Sequence, residues 1–458
     1  MQAVPRLADE HSKGIYMVTR MALASVAAWA VLAVAAGPAA GENWSQWRGP
    51  AFDGSSGQTH LPTTWGGADG KNIAWKTPMP GVGNSTPVVW GGKVFLTSAQ
   101  EGGLDLYGLC VELPGGKELW RVKLGVGNKK ILNYNVVSPS PACDEKAVYF
   151  LFGTGDMAAL DHDGKILWQQ NLEKAYGPVA IKWGYSASPL LYKGRLYVNL
   201  LRREKPYDYT PDAGKYKDLE SLLVGLDPSN GKELFKARRD TEADDEHRES
   251  YATPIPCEIA ARSEVVLIGG DYITGHDSSS GKELWRWMYN PQKLGTWRRV
   301  VSSPVACGEL IVGCLPRHTG VYAVRPGQGK MPQDSAAWTF TGSTPDAVTP
   351  LYYRGRVYVL NGVKKDLTCL EATSGKVIWK TELKTKDVLR ASPTGADGKI
   401  YMISQAGEVL VAQAGDEFKL ISRFEMGEPP VRSTIVPVDG GRLLIRTGKN
   451  LYCVQEKK

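Results

Sequence analysis

The sequence is dominated by one short motif, in which Gly and Lys are followed by two residues and an aromatic. The motif reads Gly-Lys-Glu-Leu-Trp at residues 116–120 and 281–285, Gly-Lys-Ile-Leu-Trp at 164–168, Gly-Lys-Glu-Leu-Phe at 231–235 and Gly-Lys-Val-Ile-Trp at 375–379. Five copies, recurring through most of the chain, indicate that one supersecondary unit is repeated.

Each unit also contains a small residue followed by Pro, and then a Gly turn and an apolar strand. The Pro positions are Pro87, Pro139, Pro189, Pro254, Pro304, Pro350 and Pro393, and Ser433-Thr434 replaces them in an eighth unit. Pro is tolerated at the first residue of a strand, and Gly suits a hairpin turn. The pattern therefore predicts four strands in each unit, the last of which carries the motif aromatic.

Eight residues are predicted to anchor these outer strands: Trp75, Trp120, Trp168, Phe235, Trp285, Trp338, Trp379 and Leu420. Trp75 precedes the first unit, whereas the last unit, residues 432–454, has no outer strand of its own. The sequence thus predicts an all-β, eight-bladed β-propeller over residues 72–458, closed by an N-terminal strand that completes the last blade. Residues 41–71 are expected to form a separate N-terminal segment.

The repeat resembles the tryptophan-docking repeat of quinoprotein (PQQ-type) propellers. The resemblance rests on Leu-Asp, three residues and the motif at 226–235, on His-Asp before Trp285, and on Leu-Glu before Trp379. The opening Trp-Ser-Gln-Trp-Arg-Gly-Pro at 44–50 is similar to the start of a group of exported bacterial PQQ-like repeat proteins. The family divides into dehydrogenases that bind pyrroloquinoline quinone (PQQ) and non-catalytic proteins such as BamB, an accessory subunit of the outer-membrane barrel assembly machine.

The resemblance implies specific cofactor-binding residues for the dehydrogenase branch. A PQQ dehydrogenase is expected to carry Ca²⁺ ligands, an Asp base and a disulfide between adjacent Cys, and Ca²⁺ takes six or more oxygen ligands. This sequence has no adjacent Cys pair and no haem-type Cys-x-x-Cys-His. We predict a non-catalytic module, without a cofactor, that binds a protein partner or a small ligand. The alternatives are a PQQ- and Ca²⁺-dependent oxidoreductase and a BamB-like accessory protein.

Residues that precede the inner strands of a propeller tend to surround its central funnel. Here they are Asn84, Asn135, Tyr185, Tyr251, Arg299, Asp346, Arg390 and Arg432. Arg presents a fixed fork of hydrogen-bond donors that suits anions, so these residues are candidates for holding an anionic or quinone-like ligand. The alternative is that polar residues merely fill a wet channel mouth.

The N-terminus has the pattern of an export signal. Arg20 precedes an uncharged apolar run at 21–36, and small residues follow as far as Gly41. This predicts a signal peptide over residues 1–40, with a translation start at Met17 as an option, and a periplasmic or extracellular protein. An uncleaved membrane anchor is the alternative.

The remaining features point to surface and packing roles. The net charge is +7, and the basic residues are interleaved with acidic ones along the chain. This pattern argues against a nucleic-acid partner. An insertion at 201–220, with Tyr207, Tyr209 and Tyr216, suits either a partner contact or a surface excursion. Asp-His-Asp at 161–163 and His276 lie in predicted turns, so we expect caps there and no metal. The seven Cys are expected to be small buried hydrophobic residues, although a disulfide is possible.

Overall fold

The repeat folds into eight antiparallel sheets arranged as the blades of a propeller, which confirms the predicted fold. The computed structural model describes residues 43–66, 70–100, 104–127, 136–208, 210, 212–259, 261–291, 299–315 and 320–457. The predicted signal peptide lies outside these residues, as does Asn135. Within the described part of the chain, no helix has the length and apolar character needed to cross a lipid bilayer.

The first four blades follow one another along the chain. Blade 1 contains Gly81–Val82, Val88–Trp90, Lys93–Gln100, Asp105–Glu112 and Glu118–Val126, and blade 2 contains Ala142–Cys143, Val148–Leu151, Asp156–Leu160 and Ile166–Asn171. Blade 3 contains Leu190–Tyr192, Arg195–Leu200, Leu222–Leu226 and Glu233–Arg238, and blade 4 contains Ile255–Ile259, Arg262–Gly269, Tyr272–Asp277 and Glu283–Met288. A short strand, Gly329–Lys330, covers the outer edge of blade 4.

The other four blades repeat this order. Blade 5 contains Val305–Cys307, Leu310–Leu315, Gly320–Val324 and Ala336–Phe340, and blade 6 contains Leu351–Tyr353, Arg356–Asn361, Asp366–Glu371 and Val377–Glu382. Blade 7 contains Thr394–Ala396, Lys399–Ile403, Glu408–Gln413 and Leu420–Glu425, and blade 8 contains Val436–Val438, Arg442–Arg446 and Asn450–Gln455. The described helices are short: Leu172–Tyr176, Ala213–Lys215, Asp245–Arg248 and Gln333–Ser335.

The ring closes through the N-terminal strand. Ile73–Pro78 pairs antiparallel with Asn450–Gln455 and is the outer strand of blade 8, with Trp75 opposite Cys453. The first strands of neighbouring blades contact one another around the axis. Strands from the two ends of the chain therefore share one sheet, which fastens the ring where it would otherwise open.

Aromatic residues of the outer strands link several blades to the next one. The indole N–H of Trp75 donates to Leu113 O at 2.8 Å, in the turn of blade 1 that ends at Gly116. The indoles of Trp120, Trp168, Trp338 and Trp379 likewise donate to carbonyls of the following blade. Trp285 differs, because it donates to Glu264 of its own blade at 2.6 Å. The aromatic of one blade thus packs against the motif Gly of the next blade, and not against the Gly of its own motif copy.

Most of the apolar surface is buried between blades. Adjacent blades share clusters of fully buried Val, Leu, Ile and Tyr, as in the cluster around Leu196, Val198 and Val224. All seven Cys are buried free thiols, and burial raises the pKa of Cys110 to about 12. The Cys residues therefore act as small core side chains, because a protonated buried thiol is a weak nucleophile.

His162 lies in the motif turn of blade 2, as predicted, whereas the prediction of a turn at His276 is wrong, because this residue belongs to the strand Tyr272–Asp277. Asp161 accepts the backbone N–H of Asp163 at 3.0 Å and of Lys165 at 2.9 Å, so it caps the motif turn of blade 2. His276 is fully buried, and its Nδ1–H donates to Gly281 O at 3.0 Å. Burial lowers the pKa of His276 to about 4, because a charged imidazolium would lose its hydration there.

The buried imidazole predicts an acid-sensitive core. The unfolded chain takes up a proton near the ordinary His pKa of about 6.5, whereas the folded chain takes it up only near 4, so acid favours unfolding. As pH falls from 6.5 to 4.5, we expect the free energy of unfolding to drop by about 2 kcal/mol through this residue. Urea denaturation of His276→Gln should show a correspondingly flatter pH profile. The control, His60→Gln at an exposed position, should keep the wild-type slope; equal slopes in all three proteins would contradict the prediction.

Candidate functional site

The N-terminal segment crosses one end of the propeller axis. Trp44 O accepts the backbone N–H of Val89 in blade 1, and Ser45 O accepts that of Cys143 in blade 2, both at 2.8 Å. Ser56 N–H donates to Gly395 O in blade 7 at 2.9 Å. Residues 44–56, here called the plug, therefore bond to inner strands on several sides of the ring.

Arg48 is the central fastening of the plug. Its guanidinium is almost fully buried and donates to Pro393 O at 2.7 Å, Pro350 O at 3.0 Å and Asp53 O at 2.9 Å. Burial lowers its pKa to about 10, so Arg48 remains charged at neutral pH. One side chain thus ties the plug to blades 6 and 7.

A ring of hydroxyls lies next to the plug, one from each blade. Its members are Thr86, Ser140, Ser188, Thr253, Ser303, Thr349, Ser392 and Thr434. The backbone N–H of each of the six members from Thr86 to Thr349 donates to the hydroxyl of the next, and the N–H of Thr434 donates to Thr86 Oγ1 at 3.3 Å. All eight are buried, so the hydroxyl ring connects neighbouring inner strands around the axis.

The hydroxyl ring corrects one prediction about the repeat. The Pro element of blade 2 is Ser140-Pro141 and not Ser138-Pro139, because the hydroxyl of Ser140 occupies the ring position. Sequence reasoning missed the ring, although Ser or Thr before Pro at seven equivalent positions was its signal. The bonds between blades, however, are not visible in the sequence.

A blind cavity of about 400 Å³ opens along the axis. The plug bonds to residues that follow the ring hydroxyls, such as Pro393 after Ser392, whereas Arg390 lies two residues before Ser392. The plug and the arginine therefore lie on opposite sides of the hydroxyl ring. Trp47 of the plug lines the cavity, so it forms the floor and the other end is the mouth.

The mouth carries four charged residues predicted from the sequence: Arg299, Asp346, Arg390 and Arg432. Arg390 Nη1 lies 3.8 Å from Asp346 Oδ2. Arg432 Nε donates to Gln405 Oε1 at 3.3 Å. Three guanidiniums and one carboxylate give the described lining of the cavity an excess of positive charge.

Of the other predicted funnel residues that the structure describes, two line the cavity and one does not. Asn84 and Tyr251 line it, each two residues before a ring hydroxyl. Tyr185 is not part of the lining. Its ring is fully buried between blades, and its hydroxyl donates to Asn199 O at 2.9 Å.

Two cavity residues were missed at equivalent positions. Ser138 and Ser186 line the cavity, each two residues before a ring hydroxyl. The two-residue spacing that places Arg390 and Arg432 would also have identified them. Counting back from the Ser/Thr-Pro element is therefore a better guide to the mouth than general polarity.

A polar network supports one wall of the cavity. The hydroxyl of Tyr251 donates to Glu249 Oε2 at 3.1 Å and accepts the backbone N–H of Trp183 at 3.1 Å. Glu249 is fully buried, and burial raises its pKa. Glu246 pairs with Arg299 at 3.0 Å, so this carboxylate offsets the charge of one mouth arginine.

The insertion at 201–220 packs against this network. Tyr207 donates to Glu249, while Arg203 pairs with Asp245 and Arg248 with Glu204. Tyr209 lies outside the described residues. The insertion is thus attached to the segment 245–249 that leads to Tyr251, and it borders the cavity wall.

The cavity does not offer the donors that Ca²⁺ requires. Within the described residues, no three His, Cys, Asp or Glu side chains are grouped to hold a metal. Asp346 is the one carboxylate of the described lining, and it faces Arg390. Because Ca²⁺ takes six or more oxygen ligands, this donor set does not fit a PQQ–Ca²⁺ centre of the dehydrogenase type.

Comparison with known proteins connects the fold to one family. The family described as outer membrane protein assembly factor BamB matches residues 56–199 and 331–417, which is half of the chain. No curated protein sequence matches the chain.

Solved structures show the same architecture at low sequence identity. BamB from Moraxella catarrhalis is 13% identical, with 83% of this chain and 99% of that chain covered and a TM-score of 0.58. A europium-containing methanol dehydrogenase is 12% identical, with 90% of each chain covered and a TM-score of 0.66. Quinohemoprotein alcohol dehydrogenase from Comamonas testosteroni is 12% identical, with 91% and 81% covered and a TM-score of 0.64. An outer-membrane protein assembly factor and dehydrogenases thus share this fold.

Proposed function

Because the chain belongs to the PQQ-like propeller family described as outer membrane protein assembly factor BamB, we propose that it is a non-catalytic binding module. Its ligand site is the blind cavity, and the ligand is a small anion. The protein is exported, in keeping with the apolar run at 21–36. The insertion at 201–220 is a further surface for a protein partner.

The arrangement of Arg390 and Arg432 carries this proposal. Both lie two residues before a ring hydroxyl, on neighbouring blades 7 and 8, and both line the cavity. Guanidinium groups bind carboxylates and phosphates through two parallel hydrogen bonds. The plug closes the cavity behind them, so a ligand enters only from the mouth and loses much of its hydration there.

Removing both arginines is expected to abolish most anion binding. Hydrogen bonds to charged groups contribute about 1.5–3 kcal/mol each, so Arg390→Ala/Arg432→Ala should weaken binding at least about tenfold. Isothermal titration calorimetry with citrate, inorganic phosphate and PQQ measures this loss. The matched control is Arg121→Ala/Arg325→Ala, which removes two arginines from the outer surface. Equal affinities in the mouth variant and the wild type would contradict the proposal.

Two other functions are distinguished by direct assays. The family description favours an accessory role in outer-membrane protein assembly, which a pull-down with the assembly machine's barrel subunit tests. A quinoprotein oxidoreductase would instead retain PQQ with Ca²⁺ and oxidise alcohols or sugars with a dye acceptor. Either result would replace the small-anion proposal.

A further inference from the structure

The hydroxyl ring gives the cavity a donor and acceptor pattern unlike that of a simple anion site. Each Ser or Thr hydroxyl has one donor and two acceptor positions, and in seven of the eight an N–H of the preceding blade takes one acceptor position. The eight hydroxyls can therefore both donate to and accept from a ligand. A ligand that bears several hydroxyl groups matches this pattern, because its groups can also do both.

Aromatic surfaces lie at both ends of the cavity. Trp47 forms the floor, and Trp183 lines the mouth with 47% of its surface exposed. Tyr251 lies on the wall beside them. Flat aromatic faces bury the C–H faces of a compact ring at little entropic cost. The pattern suits a ligand that has polar edges and apolar faces.

The charges indicate one negative group on the ligand. Arg299 is offset by Glu246 at 3.0 Å, and Asp346 lies 3.8 Å from Arg390. Lys182 also pairs with Glu246, at 3.3 Å, and its backbone N–H donates to the buried carboxylate of Glu249. The four cations and the three carboxylates together leave a single net positive charge around the mouth. A ligand with several carboxylates would bring more negative charge next to Asp346 than the mouth can neutralise, whereas the charge of a monoanion is balanced.

We propose that the ligand is an acidic sugar with a single carboxylate. Arg390 and Arg432 hold the carboxylate, the hydroxyl ring and Asp346 bond the sugar hydroxyls, and Trp47 and Trp183 cover its C–H faces. This inference rests on the proposed function, because it names the anion that the same cavity takes. The chemistry recognises uronic acids, either free or at the end of an oligosaccharide.

Calorimetry with matched sugars tests the inference. Galacturonate, which has one carboxylate, should bind at least about tenfold more tightly than the neutral galactose, and Arg390→Ala/Arg432→Ala should remove this difference. Trp183→Ala should weaken galacturonate several-fold while leaving inorganic phosphate unchanged, because only the sugar has C–H faces to cover. Since Trp183 is half exposed, this variant tests the ligand without a large change to the core.

The outcomes separate the two proposals. Binding of galacturonate that depends on both arginines and on Trp183 supports the acidic sugar. If citrate, phosphate or PQQ binds in an arginine-dependent way and galacturonate does not, the sugar is overturned and the anion site stands. If none of these compounds binds the wild-type protein, both proposals fail.

Discussion

Replacing Arg48 with alanine is expected to lower the free energy of unfolding by about 4 kcal/mol. The guanidinium is almost fully buried and donates to three carbonyls, on blades 6 and 7 and within the plug. Truncation removes these bonds and leaves the carbonyl oxygens without their donor in a dry site, where an unsatisfied polar group is costly. Urea denaturation measures the loss.

The Arg48 variant should also lose ligand. Because the plug supplies the floor of the cavity through Trp47, its release opens the blind end and weakens anion binding. Arg121→Ala is the control, since Arg121 lies on the outer surface and pairs with Glu118; its effect should stay within about 0.5 kcal/mol. A similar small effect at Arg48 would show that the plug does not fasten the ring.

Replacing Gly116 with alanine is expected to destabilise the ring by about 3 kcal/mol, at the point where the chain ends meet. A Cβ on Gly116 would lie 2.5 Å from Trp75, which belongs to the strand that closes blade 8. The residue also has a φ of +75°, which costs a non-glycine residue about 1–2 kcal/mol. The clash adds about 1–3 kcal/mol more.

Gly355 offers a matched control for this position. Its φ is +72°, and no atom lies within 4 Å of a Cβ built there. Gly355→Ala should therefore cost only the backbone strain, about 1 kcal/mol. The difference between the two variants in urea denaturation isolates the contact with Trp75. If the two losses are equal, the N-terminal strand does not clasp blade 1 as the structure shows.

Much of the fold could be predicted because the repeats carry similar turn and strand residues. The motif marks a turn and an aromatic in five units, and the count of these with the three related positions assigns Trp75 to the last blade. The residue that each aromatic contacts could not be predicted in this way, because Trp75 and Gly116 come into contact only when the ring has closed. The exception at Trp285, which bonds Glu264, depends on one buried carboxylate in blade 4.

The candidate site was predicted only in part. Arg390 and Arg432 follow from their distance to the inner strands, whereas Tyr185 was predicted to line the funnel and instead lies in the core between blades. The plug could not be predicted, because residues 44–56 have no hydrophobic period and bond through backbone groups to strands far along the chain. Long-range backbone bonds of this kind leave no pattern in the sequence.

A crystal structure of the protein with its tightest-binding anion would test the central claim most directly, namely that the plugged cavity is a binding site. We predict that the anionic group lies between Arg390 and Arg432, with the rest of the ligand inside the hydroxyl ring and against Trp47. A ligand bound on the outer faces of the blades, with the cavity holding only solvent, would contradict this account.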